Sequence, residues 1–454
     1  MKKLIIVCLL NLCALSFYPL FCQDQSSIYP YYYPGAEEFI YHNLALGGWN
    51  VLGPFSPRGT AMGETFFASL NSTSGYFNPA FLTFVTRPQF SLNYRYSENT
   101  YKTSFGNGIV PLRYWDYGWG GETHSFVRKT DRLDSAGFVL PFEDWVFAAN
   151  YFLFQDYNFP DIEGSNYSWP EKVQQSGEMK GVNFAFAYRL TASFSLGVSA
   201  SYVFGDISRF QKYYPIYILY AGVEPGWYWN SPVDILPPWP WYYGISEKYS
   251  LNLKGLSFNI GFTFAPSDKL RVGLMLKPPF SINVKAEAEF VYNYYDYVFP
   301  NEYFFQEQIQ KFSGEFYFKQ PLVVVSSVFF KPLESLSLTA DLSFWGWSNA
   351  STDYMPGYYY PYDFKNILKL NLGAEYVISL PFEKIDKLSL RAGYIYDPQP
   401  YQPSESFARN YFCTGFGLSV WHFELDAAAK LSLSAKELRH FSYDVLQVGL
   451  SYRF

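Results

Sequence analysis

The last stretch of the chain, Val445-Leu446-Gln447-Val448-Gly449-Leu450-Ser451-Tyr452-Arg453-Phe454, alternates without a fault. Leu446, Val448, Leu450, Tyr452 and Phe454 share one face of an extended chain, and Gln447, Gly449, Ser451 and Arg453 share the other. Period two marks a strand whose faces meet different surroundings. The rhythm recurs upstream. Leu388, Leu390, Ala392, Tyr394 and Tyr396 oppose Ser389, Arg391, Gly393 and Asp397. Leu336, Leu338, Ala340, Leu342 and Phe344 oppose Ser337, Thr339, Asp341 and Ser343, and Phe423 to Leu433 repeat the pattern against Glu424, Asp426, Lys430 and Ser432. A soluble sandwich packs its apolar face on a second sheet, whereas a membrane barrel turns that face to lipid and lines its interior with the charges.

Composition separates the two. Of 454 residues, 22% are aromatic, led by 45 Phe and 43 Tyr, and only 16% are charged, against roughly 25% in soluble proteins. Past the N-terminus no run of about 18 apolar residues occurs, so a helical membrane bundle is excluded. An apolar chain without apolar runs spreads its hydrophobicity by alternation, and the aromatic excess fits the girdles of a membrane barrel. The net charge of −6, scattered in sequence, argues against a nucleic-acid partner.

Residues 1–22 read as a secretion signal, with Lys2 and Lys3 before the apolar run that starts at Leu4. Cleavage is expected after Cys22; the alternative, a lipidated Cys22, is opposed by the bulky Phe21 before it. With Cys8, Cys13 and Cys22 removed, only Cys413 remains, and no intrachain disulfide is available.

From Gln89 onward connections alternate in length. Short turns are read at Pro141–Asp144, Leu190–Ala192, Ala265–Asp268, Lys331–Glu334, Pro381–Lys384 and Val420–Trp421. Long loops are expected near 98–130, 158–178, 206–248, 291–312, 346–362, 397–409 and 435–441. Six turns alternating with seven loops imply fourteen antiparallel strands over 89–454, turns on the periplasmic side. The terminal strand must then pair with the strand starting near Gln89. Residues 23–88 break the rhythm with Pro30-Tyr31-Tyr32-Tyr33-Pro34-Gly35 and Gly53-Pro54-Phe55-Ser56-Pro57-Arg58-Gly59. They are read as a segment folded in or beneath the barrel, a periplasmic tail being the alternative. A barrel of this strand number has a lumen wide enough to need a plug.

Several segments resemble the FadL-type outer-membrane transporters of long-chain fatty acids and other hydrophobic compounds. Arg58-Gly59-Thr60-Ala61-Met62-Gly63, continuing to Tyr76-Phe77-Asn78-Pro79-Ala80-Phe81-Leu82, resembles that family's N-terminal hatch. Ile260-Gly261-Phe262 through Leu270–Leu274, Thr339–Leu342 with Trp345-Gly346-Trp347-Ser348, Leu390–Pro400 and the terminal strand follow in the family's order. The resemblance implies a fourteen-stranded barrel with Arg58, Gly63, Asn78, Pro79 and Ala80 in the hatch. It also implies passive uptake of a hydrophobic or amphipathic small molecule with sideways exit, and a Phe454 that contacts lipid and serves the barrel-insertion machinery. One departure stands out: the hatch motif of the family reads Asn-Pro-Ala-Gly, and Phe81 occupies the Gly position here.

No catalytic constellation is found, and no cofactor is expected. His42, His124, His422 and His440 lack metal spacing, and no phosphate loop or nucleophile elbow appears. Asp341, Glu375, Arg391, Glu424, Asp426, Lys430 and Arg453 are expected as lumen charges, either a stiffening salt-bridge ladder or, for a few, holders of a substrate carboxylate. Trp227, Trp229, Trp239 and Trp241, in the most aromatic stretch, are candidates for capturing hydrophobic ligands; an interfacial belt or a loop over the barrel mouth is the other reading. The leading function is thus passive uptake by a monomer. An adhesin or assembly partner on a barrel scaffold is the alternative, and a general porin or an energy-coupled receptor fits the short N-terminal segment poorly.

Overall fold

The computed structural model describes residues 56–105, 122–163, 172–213, 241–298, 302–349, 351–352, 365–381, 384–398, 400, 408–433 and 440–454. The expected leader, the first part of 23–88, and Trp227, Trp229 and Trp239 lie outside these.

Fourteen antiparallel wall strands form one closed sheet. They are β1 (Gln89–Phe105), β2 (Glu122–Phe142), β3 (Trp145–Asp156, resuming at Phe159–Glu163), β4 (Lys172–Arg189), β5 (Phe194–Tyr213), β6 (Trp241–Ser267), β7 (Leu270–Lys277 and Ser281–Val298), β8 (Glu302–Lys319 and Val323–Leu333), β9 (Leu336–Trp345, then Ser351–Thr352), β10 (Ile367–Ser379), β11 (Ile385–Asp397), β12 (Arg409–Val420), β13 (Phe423–Ser432) and β14 (His440–Arg453). β14 closes on β1 with Gln89 opposite Arg453 and Leu92 opposite Leu450. Closure leaves no strand edge in the lower wall, which is what a sheet in lipid requires, since each unpaired backbone group there costs several kcal/mol.

The burial pattern is inverted relative to a soluble protein. Phe90 is 44% exposed and Leu450 39%, while Arg95 is 3% exposed and Gln447 1%. Large apolar side chains outside and polar ones inside identify hydrocarbon as the outer solvent.

On β5–β8 this inversion stops part-way up. Leu256, Phe258 and Ile260 face outward on the lower half of β6, but above Gly255 the outward residues are Lys254, Ser250 and Lys248. There Leu253, Leu251 and Tyr249 turn inward and are buried. Ile282, Val284 and Ala286 of β7 and Phe316 and Phe318 of β8 are buried beside them, while Lys285, Glu287 and Glu315 are exposed. The alternation of the backbone is continuous; only the apolar set changes parity, because the upper wall stands in water. Residues 206–213 and 241–248 of one expected connection, and 291–298 and 302–312 of another, are therefore strand, paired Tyr213↔Ile245 and Val298↔Glu302 near their upper ends. A reading that followed one apolar face lost the strand where the parity flipped.

Two neighbouring strands break at one height. Pro278-Pro279 interrupt β7 and Pro321 interrupts β8, since proline brings no N–H to a ladder. The Gln320 N–H donates to the Phe280 carbonyl at 2.7 Å and the Gly346 N–H to the Leu322 carbonyl at 2.9 Å, so the wall stays laced there.

Candidate functional site

Residues 56–85 lie inside the barrel and are almost wholly buried. Local chemistry shapes them. Ser56 accepts the Gly59 N–H at 3.2 Å and Pro57 starts a short helix, Pro57–Ala61. Gly63 and Glu64 then reverse the chain at φ 68° and 59°. Asn78 accepts the Ala80 N–H at 3.1 Å and opens the turn Pro79–Phe84.

One side of this segment docks on β10–β14 through charge. Arg58 Nη2 meets Glu375 Oε2 at 2.7 Å, and Arg391 Nε meets Glu375 Oε1 at 2.8 Å. Arg391 also reaches Asp426 at 2.5 Å and Glu424 at 3.9 Å, and Arg453 completes the ladder on Glu424. Above them Lys430 Nζ lies 2.7 Å from Glu64 Oε1, with Lys369 at 3.8 Å from the same carboxylate. Burial alone would raise the Glu64 pKa, but Lys430 and then Lys369 hold it below the usual carboxylate range. Burial likewise works against the Arg58 charge, and Glu375 and Glu424 more than restore it. Backbone contacts reinforce the dock: Phe66 N–H donates to Asp341 Oδ2 at 2.7 Å, and Asn371 Nδ2 donates to the Gly63 carbonyl at 2.6 Å. A Cβ on Gly393 would lie 2.1 Å from the Gly63 nitrogen, so glycine there is a requirement of close approach.

The opposite side docks on β5–β7 without ion pairs among the described residues. Asn78 Nδ2 donates to the Phe262 and Leu274 carbonyls at 3.3 and 3.2 Å. Pro79 and Ala80 sit over Gly197, where a Cβ would come within 2.4 Å of the Ala80 nitrogen, and over Gly261, where it would meet Asn78 Oδ1 at 2.0 Å. The Arg189 guanidinium closes the lower end on the Thr83 carbonyl at 2.5 Å.

Above the segment the lumen is mostly apolar on the side of β3–β9, while Arg95, Asp134 and Gln447 keep the side of β1, β2 and β14 polar. Phe66, Phe67, Tyr76, Phe77 and Phe81 join Phe152, Phe154, Met275, Phe316, Phe318, Trp345 and Trp347 in one buried cluster that runs up into the tall part of the wall. β3 supplies its share where it parts from β2. Its ladder to β2 ends at Ser135↔Phe152, while its ladder to β4 continues to Asp156↔Glu178, and residues 152–158 are all buried. From Glu122 to Asp134, β2 therefore has no ladder partner on that side among the described residues. Side chains span the seam instead: Arg132 pairs with Asp156 and, at 3.1 Å, with Glu178, and Arg128 pairs with Asp161 at 3.1 Å.

The residues singled out in sequence are thus placed as follows. Arg58, Gly63, Asn78, Pro79 and Ala80 all touch the wall. Asp341, Glu375, Arg391, Glu424 and Lys430 all point inward, and every one except Glu424 is well buried. Trp241 begins β6. Phe454 is exposed, packs edge-on against Tyr452 at 4.8 Å, and donates its N–H to the Pro88 carbonyl. Sequence reading missed Lys277, which is buried in the aromatic cluster, and the Arg132 seam. The available signal for Lys277 was its inward phase, two residues past Met275 and directly before Pro278-Pro279. No group of His, Cys, Asp and Glu with metal-binding geometry occurs among the described residues.

Comparisons place this architecture. No curated protein matches the sequence. A Pseudomonas aeruginosa FadL homologue of known crystal structure superposes with a TM-score of 0.61 at 17% identity, over 90% of this chain and 100% of the other. The Pseudomonas putida toluene transporter TodX gives 0.61 at 14% identity, over 90% and 98%. The Ralstonia pickettii toluene transporter TbuX gives 0.58 at 15%, over 89% and 99%. At such identities these likenesses show the fold. The family itself is shown by the match of residues 54–409 to its sequence model, and this outer-membrane barrel belongs to the outer membrane protein transport family (OMPP1/FadL/TodX), a family of transport proteins, not enzymes.

Proposed function

We propose that the protein carries hydrophobic or amphipathic small molecules, long-chain fatty acids among them, passively across the outer membrane. The observation that supports this reading most is the large apolar cluster on one side of the lumen. A water-filled channel is lined by polar side chains, whereas here one aromatic and aliphatic cluster runs from the lumenal segment into the wall above the membrane. Such a cluster binds apolar matter by area. In this reading residues 23–88, of which 56–88 are among the described residues, are the hatch. The aromatic stretch carrying Trp227, Trp229, Trp239 and Trp241 gathers ligand at the outer surface. The unlaced seam between β2 and β3 offers a side door above the Ser135↔Phe152 pair, where their ladder ends. The toluene transporters and FadL homologue of the same fold lend support at the level of hydrophobic cargo.

The test is uptake of radiolabelled lipophiles, spanning fatty acids and monoaromatic hydrocarbons, in cells with and without the protein. Uptake of at least one class should drop severalfold on deletion and return on complementation. Equal uptake of the whole panel in both strains refutes the reading.

A further inference from the structure

On β4–β8 the outer face of the wall changes character over one row of the sheet. Below the change Leu256, Phe258 and Ile260 of β6 and Val198 and Tyr202 of β5 are exposed to lipid. The next outward row runs Lys180, Phe204, Lys254, Asn283 and Tyr317 across the strands, and the one above it Glu178, Asp206, Asn252, Lys285 and Glu315. Lys319, opposite Ser281, stands one outward row below Tyr317 on β8. The short turns at the foot of these strands lie toward the periplasm, so the change falls at the outer-leaflet end of the lipid belt.

The acids of this border are occupied. Glu178 is held by Arg132 and Lys180 at 3.1 and 2.8 Å. Asp206 accepts from the Asn252 amide at 2.7 Å, and Glu315 accepts from the Asn283 amide. Lys254, Lys285 and Lys319 are exposed and pair with no carboxylate among the described residues. Elsewhere on the outer part of the wall the charges pair with one another: Lys129 with Glu98 at 3.5 Å across β2 and β1, and Lys311 with Glu289 at 3.1 Å higher on β8 and β7. From sheet spacing, the Cα of Lys285 stands about 8 Å and that of Lys319 about 12 Å from Lys254. Asn283 and Ser281 lie between the three, Tyr317 is exposed on one flank, and Tyr202 and Phe204 stack at 5.8 Å on the other.

We propose that Lys254, Lys285 and Lys319 bind the head group of an outer-leaflet glycolipid that carries a phosphate at each end of a disaccharide. Lys254 and Lys285 take one phosphate and Lys319 the other. Ammonium donors make strong, charge-assisted hydrogen bonds to phosphate oxygens, and lysines at a membrane border gain further from the negative surface of anionic lipid. The same strands supply the rest of the fit. Acyl chains run down over Leu256, Phe258, Tyr202 and Val198, which are exposed directly below the lysines, and the flanking rings sit at head-group level, where aromatic side chains with one apolar and one wet side belong. The lipid anchors the tall wall of β4–β8 to the leaflet it rises from. This site lies on the outer face of the barrel, and it stands or falls apart from the uptake reading.

The test uses the full-length protein in non-ionic detergent, with diphosphoryl lipid A, monophosphoryl lipid A and phosphatidylglycerol as probes and native mass spectrometry to count bound lipid. Diphosphoryl lipid A should bind severalfold more tightly than either of the others. The triple variant Lys254→Gln, Lys285→Gln, Lys319→Gln should weaken it about tenfold or more, the scale of lost hydrogen bonds to a charged group. The double variant Lys248→Gln, Lys311→Gln, which removes the same kind of charge higher on the wall, should bind as the wild type does. All variants are first checked for the folded, heat-modifiable gel band. Undiminished binding by the triple variant overturns the site, as does an equal loss in the double variant. Phosphatidylglycerol bound as tightly as diphosphoryl lipid A, or no lipid A bound by the wild type, overturns it as well.

Discussion

The two flanks of the lumenal segment are held by different physics. Toward β10–β14, Arg58 and Glu64 are locked into ion-pair networks with Glu375, Arg391, Lys430 and Lys369. Toward β5–β7, Asn78 to Phe81 rest in a socket of glycines with a single amide reaching two wall carbonyls. Charge networks are directional and lose heavily when one member is removed. A glycine socket relies on close fit, whose many small contacts an apolar ligand can replace with its own. The contrast suggests a segment that is fixed on the charged flank and yields on the flank where the aromatic cluster begins.

The largest expected effect comes from Glu375→Ala. It strands Arg58 and leaves Arg391 leaning on Asp426 and Glu424, in a part of the lumen where Glu375 is itself only 5% exposed. Breaking a buried pair from one side costs about 3–5 kcal/mol. The segment should then be cleaved by trypsin in the folded barrel, and planar bilayers should show new ion conductance. A silent Glu375→Ala would mean that the charged flank is not the anchor. Gly261→Val tests the other flank and should cost less, about 1–3 kcal/mol for an overpacked contact. Here the expected outcome is displacement around Asn78–Phe81 alone, read as hydrogen exchange confined to that turn. Exchange spreading to Pro57–Glu64 would dissolve the distinction between the flanks.

The smallest effect is the response to acid. Glu64 has a folded pKa below its unfolded value, so its contribution is complete above the ordinary Glu pKa of about 4.3 and fades as pH falls through the depressed folded value. Protection of the Pro57–Glu64 stretch should hold from neutral pH to about 5 and decline below about 4. Glu64→Gln should remove that step. An identical acid profile in the variant would assign the response to other carboxylates.

Much of the wall was legible in sequence. Alternation is local: any strand between two different solvents repeats it every second residue, and turns of Pro, Asp and Ser punctuate it. That is enough to predict a closed fourteen-stranded sheet ending at Phe454, with Gln89 as the partner of the last strand. The same locality explains the error on β5–β8. Above Gly255 the surroundings change from lipid outside to water outside, the apolar parity flips, and a strand looks like a loop to anyone following one face. The charges could be placed on the inner face by phase alone, but not matched. Arg58 finds Glu375, and Glu64 finds Lys430, across hundreds of residues of sequence, because their meeting depends on the register accumulated around the sheet and on where the segment enters it. The seam beside β3 and the burial of Lys277 on β7 belong to the same class. Lys277 reads as an ordinary lysine before Pro278-Pro279; only closure of the barrel adds Tyr76 and Phe154, from two distant parts of the chain, to its neighbour Phe280. Periodicity specifies which solvent each side chain meets. Which side chain it meets is decided by closure, register and the path of the segment inside.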